Sequence, residues 1–258
     1  MPDFFSHPSF WVAGLLAVIL CGLSKGGFTG IAMLATPILS LALPPLQAAA
    51  ILLPVLMVQD VFGILSFRRE FDREGLIVLG VGSVIGITVA TVFAKVLPIA
   101  ALTLLLGVIA LVFGAQWWIR RWRGVVEGPP KRAPKPAGVF WGAMCGVTSF
   151  IAHVGAPPAQ VYLMPLKLTP AVFAGTMTWL FWGINIIKLG PYIALGMLTK
   201  ETLIASAALV PVAAASIVIG IRIVRIMPAA RFYPIIYSLL LIAGAKLCWD
   251  GIAGLMRI

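Results

Sequence analysis

A glycine-rich break inside membrane-type apolar sequence limits most tightly what this chain can fold into. The stretch Cys21-Gly22-Leu23-Ser24-Lys25-Gly26-Gly27-Phe28-Thr29-Gly30, closed by Pro37, interrupts residues that otherwise read as a span. A second such stretch begins at Cys145 and runs through Gly146, Thr148, Ser149, His153 and Gly155 to Pro157-Pro158. Irregular backbone in lipid leaves peptide groups unpaired, so it survives only where protein buries it or a wet cavity receives it. Paired interruptions at matching places of two chain halves point to the substrate site of a secondary transporter.

The chain around these breaks is an integral membrane protein by composition. It is 61% hydrophobic with 10% charged residues, where a soluble domain has about 25% charged. The net charge of +11 comes with no RNA- or DNA-binding motif. Its simpler cause is that basic residues of membrane proteins collect in cytoplasmic loops, so no nucleic-acid partner is expected. Cys21, Cys145 and Cys248 form no CxxC and lie in apolar sequence, which makes them packing residues. The first eight residues carry no Lys or Arg, unlike the positive start of a signal peptide, so the first apolar run is read as retained structure.

In order, 10–23 and 31–43 are apolar but short of the roughly 20 residues a crossing needs. They are either short spans or two arms of a re-entrant hairpin. Spans are expected at 46–67, 75–96 and 98–119, the second with a small-residue face at Gly80, Gly82 and Gly86. After a basic segment come 137–151, the break at 153–158, a short piece at 159–168, and spans at 170–189, 200–221 and 232–249; 190–199 reads as a loop. The predicted division is therefore 1–119, a first transmembrane repeat; 120–136, a basic cytoplasmic linker; and 137–258, a second transmembrane repeat.

The halves align at a shift of 125 residues, which lays Gly30 on Gly155, Pro45 on Pro170 and Asp60 on Asn185. Near the ends the shift is 130, and Pro98 falls on Pro228. The shared order of breaks, prolines and charged loops indicates internal duplication. If the loop 68–73 is cytoplasmic, then so are the linker, Lys167 and the loop 222–231. That side then holds thirteen of the nineteen basic residues, and the opposite side holds five, Lys188 among them. The expected fold is all-α, with two inverted-topology repeats, each a short-armed helical hairpin, spanning or re-entrant, plus three transmembrane helices. Both termini are expected to be extracytoplasmic.

The motif from Gly22 to Gly30 followed by Pro37, the long span before a charged loop, and the repeat of that plan resemble the sulfite exporter TauE/SafE family, also called the toluene-sulfonate uptake permease family. The resemblance covers nearly the whole chain, with a looser second half. It implies a multi-pass carrier in a bacterial-type plasma membrane, moving sulfur-containing anions such as sulfite or organosulfonates, and in some members carboxylated anions. Alignment on the paired cysteines puts Ser149 where Lys25 stands in the first copy, so one fixed positive charge is expected at the site.

Lys25 is the sharpest candidate. An ammonium within a bilayer is expensive and functional by default; its alternative is a turn at the interface with the side chain reaching water. Beside it, Gly26 and Gly27 supply backbone N–H groups for an oxyanion. Ser24, Thr29, Thr148 and Ser149 are candidate donors, each with the alternative of bonding its own helix. His153 is a candidate ligand or proton carrier, or else a packed neutral side chain. Asp60 is read as a proton-coupling group or as the salt-bridge partner of Arg68 or Lys25. Gln59 and Asn185 are supporting polar residues. Trp179, Trp182 and Trp249 read as packing or interfacial anchors.

No Ser-His-Asp order, HExxH, Walker loop or catalytic carboxylate pair is present, and acidic residues number only eight, so neither an enzyme nor a cofactor is expected. The expected partners are a small anionic substrate, protons as a coupling ion and the lipid bilayer; a homodimer is compatible with the pattern. The competing readings are a carrier of another small solute and the membrane subunit of a larger complex.

Overall fold

The computed structural model describes residues 7–26, 31–93, 99–125, 128–194 and 196–256. The described secondary structure is all helical. It consists of α1 (Pro8–Lys25), a 3-10 turn (Ile31–Leu34) leading into α2 (Ala35–Leu39), α3 (Pro45–Phe67), α4 (Arg73–Val92) and α5 (Ile99–Trp122). Then follow α6 (Lys135–Ala152), α7 (Ala156–Leu163) with a 3-10 turn (Met164–Leu166), α8 (Pro170–Ala194), α9 (Lys200–Ile226) and α10 (Ala229–Leu255). Seven of the described helices are long and apolar enough to cross a membrane: α1, α3, α4, α5, α8, α9 and α10. The short arms α2 and α7, with their 3-10 turns, reach only about 15–18 Å, roughly half the apolar thickness of a bilayer.

Helix boundaries differ from the sequence reading at several places, among them the basic loop expected at 222–231, most of which is helical because α9 continues to Ile226 and α10 begins at Ala229. Ser24 and Lys25 are the last residues of α1, so the first break starts at Gly26; a following glycine does not unwind residues that are themselves helix-compatible. Pro157 and Pro158 belong to the first turn of α7, where a missing N–H costs nothing. Helix α8 runs on through Pro191 to Ala194, because an internal proline in a membrane helix removes one hydrogen bond that neighbours can replace.

The packing has a two-fold pattern. Helix α1 packs on α9 as α6 packs on α4, and α3 lies on α9 as α8 lies on α4. Helices α3 and α8 pack on each other, as do α5 and α10. Exchanging the first five helices for the last five reproduces these contacts. Small residues allow the close approaches. A Cβ on Gly26 would lie 2.4 Å from the Gly220 Cα, and one on Gly82 only 2.1 Å from the Val139 carbonyl oxygen. Gly82 and Gly86 thus form the expected close contact, with α6, whereas Gly80 faces open space.

The four basic segments meet at one end of the bundle. The Arg132 guanidinium of the linker grips Asp72 with two hydrogen bonds of 2.9 and 2.7 Å. Lys167 Nζ donates to the Gly128 carbonyl at 2.7 Å. Arg225 donates to the Ser66 carbonyl and lies 3.6 Å from Glu70. Asp72 also caps α4, accepting from Gly75 N at 2.8 Å. Partial burial works against its charged form, but the Arg132 and Gly75 donors outweigh it and hold the carboxyl below its ordinary range.

Candidate functional site

The two breaks come together around a small cavity between α1, α3, α6 and α8. Ser24, Lys25, Ser149, His153, Thr178 and Asn185 are among its walls, completed by apolar side chains that include Leu52, Met177 and Phe181. Its volume is about 40 Å³, room for about three or four water molecules at roughly 10–15 Å³ each.

The end of α1 places Lys25 in this wall. Lys25 Nζ donates to Asp60 Oδ1 at 2.5 Å and lies 4.9 Å from the centre of the Phe181 ring. Asn185 Nδ2 donates to the other oxygen of Asp60 at 2.7 Å. Asp60 is fully buried, and the Lys25 ammonium and the Asn185 amide are its hydrogen-bond donors. Of the two partners considered from sequence, Lys25 is the one found. Asp60 and Asn185 are also the residues that the 125-residue shift superposes. The cavity therefore lies where α3 and α8, which exchange with each other in the two-fold packing pattern, meet.

A second ammonium sits behind the opposite wall. Lys188, one helical turn beyond Asn185 on α8, is completely buried. Its Nζ donates to Ser149 O at 3.1 Å, Ser149 Oγ at 3.2 Å and His153 Nδ1 at 2.9 Å. Three acceptors match the three N–H bonds of an ammonium. The carbonyl comes from the last turn of α6, where the helix dipole favours a cation. No carboxylate pairs with Lys188 among the described residues. His153 Nε2 donates to the Ala49 carbonyl at 3.1 Å, leaving Nδ1 as acceptor, so the ring is neutral and bridges α8 to α3. His153 ends α6 in the left-handed region at φ 56°, a conformation costing about 1–2 kcal/mol in a non-glycine residue.

In place of the single basic side chain expected, the cavity has two, Lys25 in its wall and Lys188 behind it, with one acidic side chain, Asp60. The sequence reading put Lys188 with the loop charges of the far side. The signal was present: Lys188 falls within the predicted span 170–189, three residues after Asn185 and so on the same helix face, and an intramembrane lysine is expensive.

Other candidates sort differently. Ser24 and Ser149 line the cavity. Gly26 packs against the α9 backbone at Gly220 and is not among the residues that line the cavity. Thr148 Oγ1 bonds its own helix at Met144 O, 2.7 Å away, and is likewise outside the wall. Gln59 is buried away from the cavity, where its amide donates to Val18 O at 3.2 Å and Ala213 O at 3.4 Å and ties α3 to α1 and α9. Gly27 and Thr29 lie outside the described residues. Thr178 was not singled out from the sequence. It is 1% exposed, it lines the cavity, and its Oγ1 has no hydrogen-bond partner. A buried hydroxyl without a partner costs about 1–3 kcal/mol, and a ligand in the cavity would supply the partner. No group of three or more metal-ligating side chains occurs among the described residues.

Neither a curated protein nor a solved structure matches the chain. The family model described as "Sulfite exporter TauE/SafE" matches residues 14–247. With nine-tenths of its length covered, from within α1 to within α10, the chain belongs to the TauE/SafE family of membrane transporters.

Proposed function

We propose that this protein is a secondary transporter that exports small sulfur-containing or carboxylated anions, with sulfite-sized oxyanions as the best-fitting substrates. The observation that carries the reading is the pair of lysines at a small cavity that has a single acidic side chain. Lys25 is matched by Asp60, while Lys188 is held by neutral acceptors. A buried cation without a counterion is costly, and a monovalent anion beside Ser149, Thr178 and Lys25 would supply one. The cavity volume favours an inorganic oxyanion; a longer organosulfonate would require it to widen.

Alternating access follows from the exchange symmetry of the packing. Two conformations related by that symmetry expose the same cavity from opposite faces. In this reading the basic end of the bundle faces the cytoplasm of a bacterial-type plasma membrane, and both termini lie outside. The Lys25–Asp60 contact is the group that opens when substrate competes for the ammonium, with Asp60 then able to take up a proton.

Flux into liposomes containing only this protein tests the reading. Saturable sulfite uptake that competes with other small oxyanions, and not with choline or glycerol, is expected. Folded protein that conducts no anion, or that carries choline equally well, would overturn it.

A further inference from the structure

A second and larger cavity, about 740 Å³, lies apart from the one beside Lys25. It is bounded by the end of α5, residues 125 and 128–131 of the linker, the 3-10 turn after α7 and the start of α10. Arg120, Arg121, Lys131 and Lys167 contribute to its walls, and no acidic side chain does so among the described residues. Arg120, Arg121 and Lys131 make no ion pair among the described residues; of the acids in the neighbouring segment, Asp72 and Glu74 are engaged by Arg132 and Glu70 lies beside Arg225.

The rest of the wall is apolar and aromatic. Trp117 stacks on Tyr237 with ring centres 4.4 Å apart and planes 9° apart. The Arg121 guanidinium lies 5.4 Å from the Trp117 ring centre. Tyr233, one turn before Tyr237 on α10, also lines the cavity, its ring centre 6.4 Å from that of Tyr237. Three hydrogen bonds fix the frame. Lys131 N donates to Pro165 O at 3.1 Å, Lys167 Nζ to Gly128 O at 2.7 Å, and Tyr233 OH to Leu168 O at 2.7 Å.

A ligand that fits this wall has a compact anion at one end and apolar surface at the other. A soluble phosphate or sulfite would meet the cations but leave the Trp117–Tyr237 wall in water. A neutral amphiphile would cover the aromatics but not the charges. We propose that the cavity binds an anionic phospholipid, its phosphate against Arg120, Arg121 and Lys131 and its glycerol and upper acyl region on Trp117, Tyr233 and Tyr237. Basic pockets between transmembrane helices beside interfacial aromatics have this chemistry. Because the same frame holds the linker to the exit of the second hairpin, a bound lipid also braces residues 164–168 between the linker and α10.

The test uses the full chain in neutral detergent, with bound lipid counted by native mass spectrometry and unfolding followed thermally. Phosphatidylglycerol, phosphatidylcholine and inorganic phosphate are titrated separately. Two charge-matched triple variants are compared: Arg120→Gln/Arg121→Gln/Lys131→Gln in the cavity, and Arg68→Gln/Arg222→Gln/Arg231→Gln elsewhere. Phosphatidylglycerol should bind and stabilise the wild type and the second variant, with phosphatidylcholine binding far more weakly. The first variant should lose affinity by roughly a hundredfold, about fivefold for each cation removed. Equal losses in the two variants would overturn the site, since only net charge would then matter. Stabilisation by phosphate alone equal to that by the lipid would overturn the lipid assignment in favour of a small-anion site.

Discussion

Replacing Lys188 with methionine isolates the contribution of a charge that touches no substrate. The ammonium is fully buried and lies 2.9–3.2 Å from Ser149 and His153, which form the cavity wall in front of it. An anion on the other side of that wall would sit about 6 Å from Nζ. At an effective dielectric constant of about 20, two unit charges at that distance attract by about 2.8 kcal/mol, or roughly a hundredfold in affinity. Stability should change little. Methionine fills a similar volume and removes the cost of burying an ammonium, which offsets the acceptors orphaned on Ser149 and His153. The assay is equilibrium binding of sulfite to purified Lys188→Met beside the wild type, with melting temperature as the control for folding. A melting temperature within a few degrees of wild type and a dissociation constant raised about a hundredfold are expected. A folded variant that binds within twofold of wild type would refute the field argument and leave Lys188 as a hairpin-bracing residue.

Three further tests address other parts of the structure. Thr178→Val keeps the side-chain shape but removes the unpartnered hydroxyl, so stability should hold or rise while anion affinity falls about three- to tenfold; unchanged affinity would take Thr178 out of the site. Gly26→Ala forces a Cβ onto the Gly220 backbone, whereas Gly80→Ala meets nothing within 4 Å, so the first should destabilise by about 1–3 kcal/mol or more and the second should not; equal melting temperatures would contradict the close α1–α9 contact. For Asp72, a carboxyl held below its ordinary range contributes stability that is present above the unfolded-state pKa near 3.9 and is lost as pH falls through the folded-state value. Asp72→Asn should therefore cost about 1–3 kcal/mol at pH 7 and show a shallower loss of melting temperature below about pH 4; an unchanged acid limb would remove the Asp72–Arg132 pair as its source.

Much of this architecture is visible in the sequence because lipid permits few alternatives. Hydropathy locates the long spans, the breaks mark the hairpins, and the superposition of Asp60 on Asn185 anticipates two side chains that meet at 2.7 Å. The division of labour among the break residues is not visible, because glycine serves helix packing and anion contact alike. Only the position of Gly220 against Gly26 shows the packing role. The same holds for hydroxyls: Thr148 turns back to its own helix while its neighbour Ser149 meets Lys188, a difference set by one step of helix rotation and by a partner on another helix. Lys188 shows a different limit. Counting basic residues by loop assigns a side to a lysine near the end of a span, but burial depends on whether acceptors wait inside. Those acceptors, at Ser149 and His153, come from a helix end 35–39 residues earlier in the chain.

The central claim is that the Lys25 ammonium holds the transported anion in the cavity between the two hairpins. Lys25→Ala alone strands the buried Asp60 carboxylate, which costs about 3–5 kcal/mol, so the decisive comparison is Lys25→Met/Asp60→Asn against Asp60→Asn. Sulfite binding to the purified, folded proteins should weaken by about ten- to a hundredfold when Lys25 is removed from the Asp60→Asn background, the loss of one charge-assisted hydrogen bond. Equal sulfite affinity in the two variants would contradict the claim and move the anion site elsewhere.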